Sequence, residues 1–254
     1  MMKDRVTSEA GAQFARDGVI IIRRFFTADE ARQLCERLHR YVDHVVPNIP
    51  AKYVFYQDKK RSQAADALLR LEQMHLHEEY YEQMRQDLLP VAEALLGEPV
   101  EPMQVEMFNK AARIGEVTPP HQDGNYFMLE PNIAITLWIP LERADAANGC
   151  MRYVRGSHLL GMRRHELGDV FGFSRSIADY GREDEADELV GVVDLGDLAA
   201  HHGMTIHRTD ANTSDRTRRA MGLVYYAQRA KVDVEKRRAH DAEVHKYWQE
   251  AGQM

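Results

Sequence analysis

The sequence has little cysteine and no long hydrophobic run, and both features narrow the kind of protein that it encodes. Two cysteines, Cys35 and Cys150, occur among 254 residues, far apart and outside any CxxC pair. A disulfide framework is therefore not expected, and a reducing, cytoplasmic compartment is. No apolar run approaches the roughly 18 residues of a membrane-spanning helix, and the N-terminus lacks the apolar core of a signal peptide. The sequence predicts no membrane segment.

Positive charge is not in excess either. Lys and Arg number 33 against 40 Asp and Glu, which gives a formal net charge of −7. This balance argues against binding to a phosphate backbone, so no nucleic-acid partner is expected. Repeats, low-complexity tracts and linkers that would divide the chain are also missing. We therefore expect one domain over residues 1–254, large enough to bury a substantial core.

The first hundred residues predict helices. Residues 8–24 favour a short helix that leads into the buried strand Val19-Ile20-Ile21-Ile22. Thr27 and Glu30 have the spacing of a capping box at the start of the next helix. Two more helices are predicted at about 64–74 and 77–96, with Pro90 ending or kinking the second.

The pattern changes to short strands after residue 100. Strands are predicted at 104–109, 133–141, 150–154, 190–193, 201–207 and 219–227, and a charged helix at about 233–250. Helices over about 8–97 followed by a β core over about 100–228 favour a mainly β architecture with flanking helices, built on a sandwich or barrel. The long charged insertion at 162–188 predicts a functional lid.

A candidate metal-binding pair lies at His121-Gln122-Asp123. In a strand, residues i and i+2 point to the same side, so His121 and Asp123 can direct an imidazole nitrogen and a carboxylate oxygen to one point. Two histidines and one carboxylate on one face of an octahedron suit non-haem Fe(II). Three histidines further along the chain compete for the role of third ligand: His201, His202 and His207.

The sequence from Gly18 to Tyr226 resembles the phytanoyl-CoA dioxygenase-like family of Fe(II)/2-oxoglutarate oxygenases. The resemblance includes Pro-His-Gln-Asp-Gly, Thr-Leu-Trp-Ile-Pro-Leu, Asn-Gly-Cys-Met and Arg-Gly-Ser-His. It ends with a His-x4-Asn-x-Ser-x3-Arg block at His207, Asn212, Ser214 and Arg218.

This resemblance implies a double-stranded β-helix (jelly-roll) core of the cupin-like type. It also implies iron ligands at His121, Asp123 and His207, so that His201 and His202 would instead support the site or pack in the core. The cofactors implied are Fe(II), 2-oxoglutarate as co-substrate and O2. Because related halogenases lack the carboxylate ligand, Asp123 favours hydroxylation over halogenation.

The same resemblance assigns residues to 2-oxoglutarate. Arg218 matches the arginine that pairs with the distal carboxylate, since a planar guanidinium offers a bidentate partner. Neighbours in a strand face opposite ways, so only one of Arg218 and Arg219 can point inward. The spacing from Asn212 selects Arg218 and leaves Arg219 as the weaker alternative. Thr209 matches a hydroxyl position at the same carboxylate. Gln104 and Asn109 occupy a strand from which related enzymes add further contacts.

The sequence thus predicts an oxygenase that hydroxylates an unactivated C–H bond of a small molecule, with release of succinate and CO2. Lid arginines, among them Arg163, Arg164, Arg175 and Arg182, could bind an anionic substrate or simply pair with nearby acidic residues. Two rival functions are a non-catalytic metal-binding jelly-roll protein and a jelly-roll metalloenzyme that does not use 2-oxoglutarate.

Overall fold

The helices of the protein come mostly before its sheets and at its C-terminal end. The computed structural model describes residues 2–57, 68–167 and 175–250. The α-helices are α1 (Ser8–Asp17), α2 (Ala28–His44), α3 (Glu79–Leu96), α4 (Gly124–Phe127), α5 (Arg182–Ala186) and α6 (Val234–Glu250). In the described residues, none of these helices combines the length and the apolar character needed to cross a lipid bilayer.

Helix α2 shows why the N-terminal residues become helical. The Thr27 hydroxyl accepts a hydrogen bond from the Glu30 backbone N–H at 3.2 Å, and the Glu30 carboxylate accepts one from the Thr27 N–H at 2.7 Å. This is the predicted capping box, and it satisfies two N–H groups that the helix start would leave unpaired. The buried side chains of α2 share one face: Ala31, Leu34, Leu38 and Tyr41.

The β strands supply the rest of the structure. Those in the first half of the chain are β1 (Val19–Ile22), β2 (Val54–Tyr56), β3 (Leu68–Leu71), β4 (Val100–Lys110), β5 (Thr118–His121), β6 (Leu129–Glu130) and β7 (Ala134–Pro140). Those in the second half are β8 (Met151–Val154), β9 (His165–Leu167), β10 (Arg175–Ile177), β11 (Glu188–Gly191), β12 (Leu198–His202), β13 (His207–Thr209), β14 (Arg218–Ala227) and β15 (Lys231–Val232).

Two larger antiparallel sheets form the centre of the fold. The seven-stranded sheet has the order β1-β12-β7-β14-β4-β3-β2, and the four-stranded sheet has the order β11-β8-β13-β5. A hydrophobic cluster joins them, with Trp138 and Ala199 from the first sheet and Met151 and Tyr153 from the second. This is the expected jelly-roll, in which two sheets enclose a core and leave space for a site between them.

The opposite face of the seven-stranded sheet packs against helices. Side chains of α2 and α3, including Leu38 and Leu88, lie in one cluster with Val105, Met107 and Leu223 of the sheet. Strand alternation therefore gives the sheet two different faces. From Gln104 onward, the even-numbered side chains of β4 face the inside of the jelly-roll, while Val105 and Met107 meet the helices. Before the irregularity in the β4–β14 register the alternation differs, and Val100 packs with the helices.

Three predictions about secondary structure need correction. The helix expected at 64–74 is wrong for residues 68–71, which form β3 and pair with β4 through Arg70 and Leu71, whereas 64–67 lie outside the described residues. Of the two effects expected of Pro90, ending or kinking the helix, the first is wrong, because α3 continues to Leu96 as predicted. The single strand expected at 201–207 is two strands, β12 and β13, in different sheets.

Candidate functional site

The two histidines of the candidate metal site face each other across one strand pair. His121 ends β5 and His207 begins β13, and the two residues are direct partners in the antiparallel register. Their ring centroids are 4.2 Å apart. Asp123 comes two residues after His121, where the backbone has already left the strand and has helical dihedral angles, φ −54° and ψ −34°. The residues converge, although not by the strand alternation that the sequence suggested.

One oxygen of Asp123 lies between the two imidazoles. Its Oδ1 is 3.6 Å from Nε2 of His121 and 3.5 Å from Nε2 of His207. The three ligand atoms all lie within 4.8 Å of one another. Atoms that each bind one ion at about 2.1 Å must be separated by about 3–4 Å. Two imidazole nitrogens and one carboxylate oxygen at these separations fit a divalent iron.

Backbone carbonyls fix the orientation of both imidazole rings. Nδ1 of His121 donates to the carbonyl of Pro119 at 2.8 Å, and Nδ1 of His207 donates to the carbonyl of Thr205 at 3.0 Å. With the proton on Nδ1, each Nε2 keeps its lone pair for a metal. Such outer hydrogen bonds are the usual way in which proteins orient ligating histidines.

The other oxygen of Asp123 is held by the seven-stranded sheet. The Thr136 hydroxyl and Nε2–H of His201 donate to Oδ2 at 3.2 Å and 3.1 Å. Burial opposes ionisation of this carboxyl, but His207, His121 and His201 outweigh it, and the pKa of Asp123 lies well below its ordinary value. A carboxylate with Oδ2 fixed presents Oδ1 to the space between the imidazoles.

His201 therefore acts on the site although it lies on another sheet from His207. The sequence pattern places His201 and His207 on one strand. This prediction is wrong, because the chain turns between them and they lie in different sheets. His202 faces away: its Nδ1 accepts from the backbone N–H of Met204 at 3.0 Å, and its ring lies near that of His158.

A second part of the site lies around Arg218, at the start of β14. The side chain is buried, its guanidinium carbon lies 5.4 Å from the centre of the Trp138 ring, and burial lowers the pKa of the group to about 10. Arg218 Nε and the nearby Thr209 hydroxyl oxygen are buried and have no hydrogen-bond partner among the described residues. Buried donors of this kind need an acceptor, and a carboxylate supplies one.

Arg219 has a different environment. Its guanidinium lies 3.4 Å from a carboxylate oxygen of Glu142 and also contacts His39 on the helix-facing side of the sheet. The alternation that the sequence predicted for these neighbouring arginines is therefore present, and Arg218 is the one that points inward.

Both parts open into one cavity of about 610 Å³, large enough for a dicarboxylate and a further small molecule. Gln104 and Asn109 also border this cavity. Gln104 accepts a hydrogen bond from the side chain of Gln73 at 3.2 Å. The Asn109 amide donates to the backbone carbonyl of Leu68 at 2.7 Å, and its strand position is on the helix-facing side. Their contacts with a co-substrate stay predictions.

Comparison with known proteins shows the family of the chain. The family model described as phytanoyl-CoA dioxygenase (PhyH) matches residues 14–220, most of the chain. The chain belongs to the phytanoyl-CoA dioxygenase family. It is 34% identical over 126 residues to phytanoyl-CoA dioxygenase domain-containing protein 1 of Bos taurus, covering 48% of this chain and 43% of that protein. It is 34% identical over 128 residues to phytanoyl-CoA dioxygenase of Arabidopsis thaliana, covering 49% and 44%. The chain thus matches less than half the length of these relatives.

Solved structures show the same fold at lower identity. The epimerase SnoN, crystallised with Fe3+, alpha ketoglutarate and nogalamycin RO, superimposes with a TM-score of 0.69 at 21% identity, covering 88% of this chain and 84% of SnoN. EctD from S. alaskensis, crystallised with 2-oxoglutarate and 5-hydroxyectoine, gives 0.69 at 19% identity, covering 88% and 77%.

The predicted lid is a small hairpin in the residues that the structure describes. Strands β9 and β10 pair through His165 and Ile177, and residues 168–174 between them lie outside the described part. Gln122 attaches this region to the metal site, since its side chain donates to the carbonyl of Gly161 and accepts from the N–H of Arg163. The middle residue of the His121-Gln122-Asp123 motif is therefore structural.

The lid arginines mostly have acidic partners. Arg163 pairs with Asp184 at 2.6 Å and with Asp179 at 2.7 Å, Arg164 pairs with Glu166, and Arg175 pairs with Glu243 of α6. All three arginines thus have a protein carboxylate as a partner, although the buried Nε of Arg175 has no hydrogen-bond partner among the described residues. Because none of the three lines the cavity, they give the idea of an anionic substrate little support.

The sequence does not single out Lys110 and Glu106, two ionisable side chains that line the cavity. Lys110, next to Arg218 across the β4–β14 pair, donates to the carbonyl of Glu116, and burial together with Arg218 lowers its pKa to about 7. Glu106 lies further along β4, and burial raises its pKa to about 8. Their even-numbered positions in a loosely alternating strand were the signal available in the sequence.

Proposed function

We propose that the protein is an Fe(II)- and 2-oxoglutarate-dependent oxygenase that hydroxylates a C–H bond of a small molecule. The observation that carries this proposal is the convergence of His121, Asp123 and His207 in the cavity that also contains the unpaired guanidinium of Arg218. Membership of the phytanoyl-CoA dioxygenase family supports it. Action as one domain over residues 1–254 and a cytoplasmic location stay predictions.

Three side chains would hold the iron. His121 and His207 would bind it through Nε2, because both Nδ1 atoms are engaged by backbone carbonyls. Asp123 would bind it through Oδ1, because Oδ2 is engaged by Thr136 and His201. Three ligands from one side leave the remaining positions of an octahedron for the co-substrate and dioxygen.

The buried donors near Trp138 would bind 2-oxoglutarate. Arg218 would pair with the distal carboxylate, and the Thr209 hydroxyl would donate to the same group. The Trp138 ring lies below the guanidinium and limits where the carboxylate can lie. This pair of unsatisfied groups favours 2-oxoglutarate chemistry over the two rival functions, neither of which needs a carboxylate at this place.

When bound, ferrous iron with 2-oxoglutarate and dioxygen supplies the oxidant for C–H hydroxylation, while 2-oxoglutarate is converted to succinate and CO2. The protein contributes orientation and shelter from water. His121 and His207 are only 4% exposed and Arg218 is equally buried, so bulk water has little access to these groups. The chain needs to supply no general base.

The test compares two histidines of one segment. We expect His207→Ala to abolish iron binding and 2-oxoglutarate turnover, whereas His202→Ala keeps most of both, because His202 faces away from Asp123. Iron content is measured in anaerobically reconstituted, folded protein, and turnover is measured as succinate release. Equal losses in the two variants would contradict the assignment of the ligands.

A further inference from the structure

Glu106 is a buried carboxyl group in the cavity to which the proposed chemistry gives no task. Its position in β4 is even-numbered, so its side chain faces the inside of the jelly-roll, where it borders the cavity. It is 8% exposed. Among the residues that the structure describes, none forms a hydrogen bond or an ion pair with it.

Glu106 lies opposite a glycine, over which the ring of Phe108 packs. Gly222 of β14 pairs with Glu106 on one side and with Trp138 on the other. A Cβ at Gly222 would lie 3.0 Å from the ring of Phe108, so a larger residue would displace that ring. Glu106, Phe108 and Trp138 all line the same cavity.

Three cationic side chains that border the cavity have protein partners, and the fourth, Arg218, is assigned to 2-oxoglutarate. Arg70 pairs with Glu72 at 2.7 Å and lies over the ring of Phe55. Lys110 donates to a backbone carbonyl, and Arg237 of α6 donates to the carbonyl of Phe127 at 2.8 Å. None of these three groups forms an ion pair with the Glu106 carboxyl, and the attraction of Arg70 lowers the pKa of Glu106 less than burial raises it.

A carboxyl group in this environment favours a cationic ligand. Burial without a partner opposes its ionised form and raises its pKa to about 8. A ligand that brings a positive charge restores the ionised form and gives the carboxylate a charge-assisted hydrogen bond. An anionic ligand would instead be repelled by the Glu106 carboxylate whenever that group ionises.

We propose that Glu106 is the specificity-determining residue of this enzyme and that the substrate carries a basic nitrogen that pairs with its carboxylate. This inference rests on the proposed function, because it places the substrate in the cavity that contains the metal centre. It replaces the anionic substrate suggested by the lid arginines. The experiment must also distinguish a substrate with a basic nitrogen from a neutral, hydroxylated one.

The experiment uses the full chain loaded with Fe(II) and 2-oxoglutarate. The visible charge-transfer absorption of the anaerobic complex first establishes the metal and co-substrate site. The probes are small linear and cyclic amines, each with an alcohol and a carboxylate of the same shape. Binding is read from the change in the charge-transfer spectrum, and turnover from 2-oxoglutarate consumption in air.

We expect amines to bind and to stimulate 2-oxoglutarate consumption more than their matched alcohols and carboxylates do. Glu106→Gln should raise KM for the amines about 30-fold or more, because it removes one partner of a buried charge pair. It should leave kcat and the charge-transfer absorption nearly unchanged. Glu106→Asp should keep part of the amine preference.

Glu101→Gln is the matched control. Glu101 lies on the same strand but is bound to Gln228 outside the cavity, so this variant should change KM for the amines less than twofold.

Two results would overturn the inference: amines that stimulate no better than their matched partners, or a Glu106→Gln variant that weakens all three classes equally. A wild-type protein that forms no charge-transfer complex would instead overturn the proposed function. The two failures are thus distinguished by the first measurement.

Discussion

At the scale of single residues, direction matters more than residue type. Arg218 and Arg219 are neighbours with the same chemistry, yet one is buried over Trp138 and the other pairs with Glu142 near the surface. Strand alternation separates them. The same rule separates Glu106, which faces the cavity, from Val105 and Met107, which meet the helices.

This difference predicts distinct effects on the co-substrate. Arg218→Met should raise KM for 2-oxoglutarate about 30-fold or more, since it removes a buried charge partner of the distal carboxylate. Arg219→Met is the matched control and should leave this KM within about twofold. Steady-state kinetics with varied 2-oxoglutarate gives both values. Similar KM values for the two variants would show that Arg218 does not bind the co-substrate.

At the scale of elements, the ends of helices and strands decide where the site can form. Helix α1 ends at Gly18, whose φ of 70° is in the left-handed region that favours glycine. The Gly18 carbonyl accepts hydrogen bonds from the Thr205 hydroxyl and from the backbone N–H of His202. The turn between β12 and β13, which leads into His207, is thus attached to the end of an N-terminal helix.

Substitution of Gly18 should therefore destabilise more than substitution of another helix-capping glycine. A Cβ at Gly18 would lie 2.4 Å from Nδ1 of His158 and 2.5 Å from the Thr205 hydroxyl oxygen, whereas one at Gly97, with φ 81°, meets nothing within 4 Å. Gly97→Ala should cost about 1 kcal/mol for its backbone conformation, and Gly18→Ala about 1–3 kcal/mol more for the overlap. Urea denaturation of both variants gives the comparison. Equal losses would show that packing at Gly18 is unimportant.

At the scale of the whole molecule, two sheets enclose a cavity that contains more ionisable side chains than an ordinary protein core. Arg218, Lys110, Glu106 and Asp123 all border it. Buried charges are retained where they serve function, since a hydrophobic core would be at least as stable without them. The stability of the protein should therefore depend on pH through these groups.

Glu106 makes this dependence testable. The pKa of Glu106 in the folded protein, about 8, is above its ordinary value of 4.5. The contribution of Glu106 to stability is therefore fully present at a pH below 4.5. That contribution is lost as pH rises toward 8, because the unfolded chain then binds fewer protons than the native state. Between pH 5 and 8, the melting temperature of the metal-free wild type should fall relative to that of Glu106→Gln. Each kcal/mol lost from the free energy of unfolding lowers the melting temperature by about 2–4 °C.

Thermal unfolding of the two metal-free proteins across this range checks the expectation, with Glu101→Gln as the control for a loss of charge at a site outside the cavity. Parallel curves for wild type and Glu106→Gln would mean that Glu106 is ionised in the native state at all these pH values.

Some of the fold was predictable because its causes are local. The capping box of Thr27 and Glu30 is formed by residues three apart, and the apolar stripe of α2 follows from helical spacing. The strand over Arg218–Ala227 follows from its apolar residues. The strand at 68–71 was missed because its leucines suit a helix equally well, and only pairing with β4 makes them extended.

The sequence by itself determined the secondary structure with local signals, because spacing and caps are properties of neighbouring positions. The resemblance of its motifs to a known family implied the jelly-roll class and the type of chemistry. Only the tertiary structure decided that His201 and Thr136 hold the second oxygen of Asp123 and that Arg218 and Thr209 have unsatisfied donors. It also decided that Glu106 lies unpaired in the cavity. The reason is physical: the contact between His201 and Asp123 joins residues 78 positions apart, and such a distance depends on how two sheets and their turns pack.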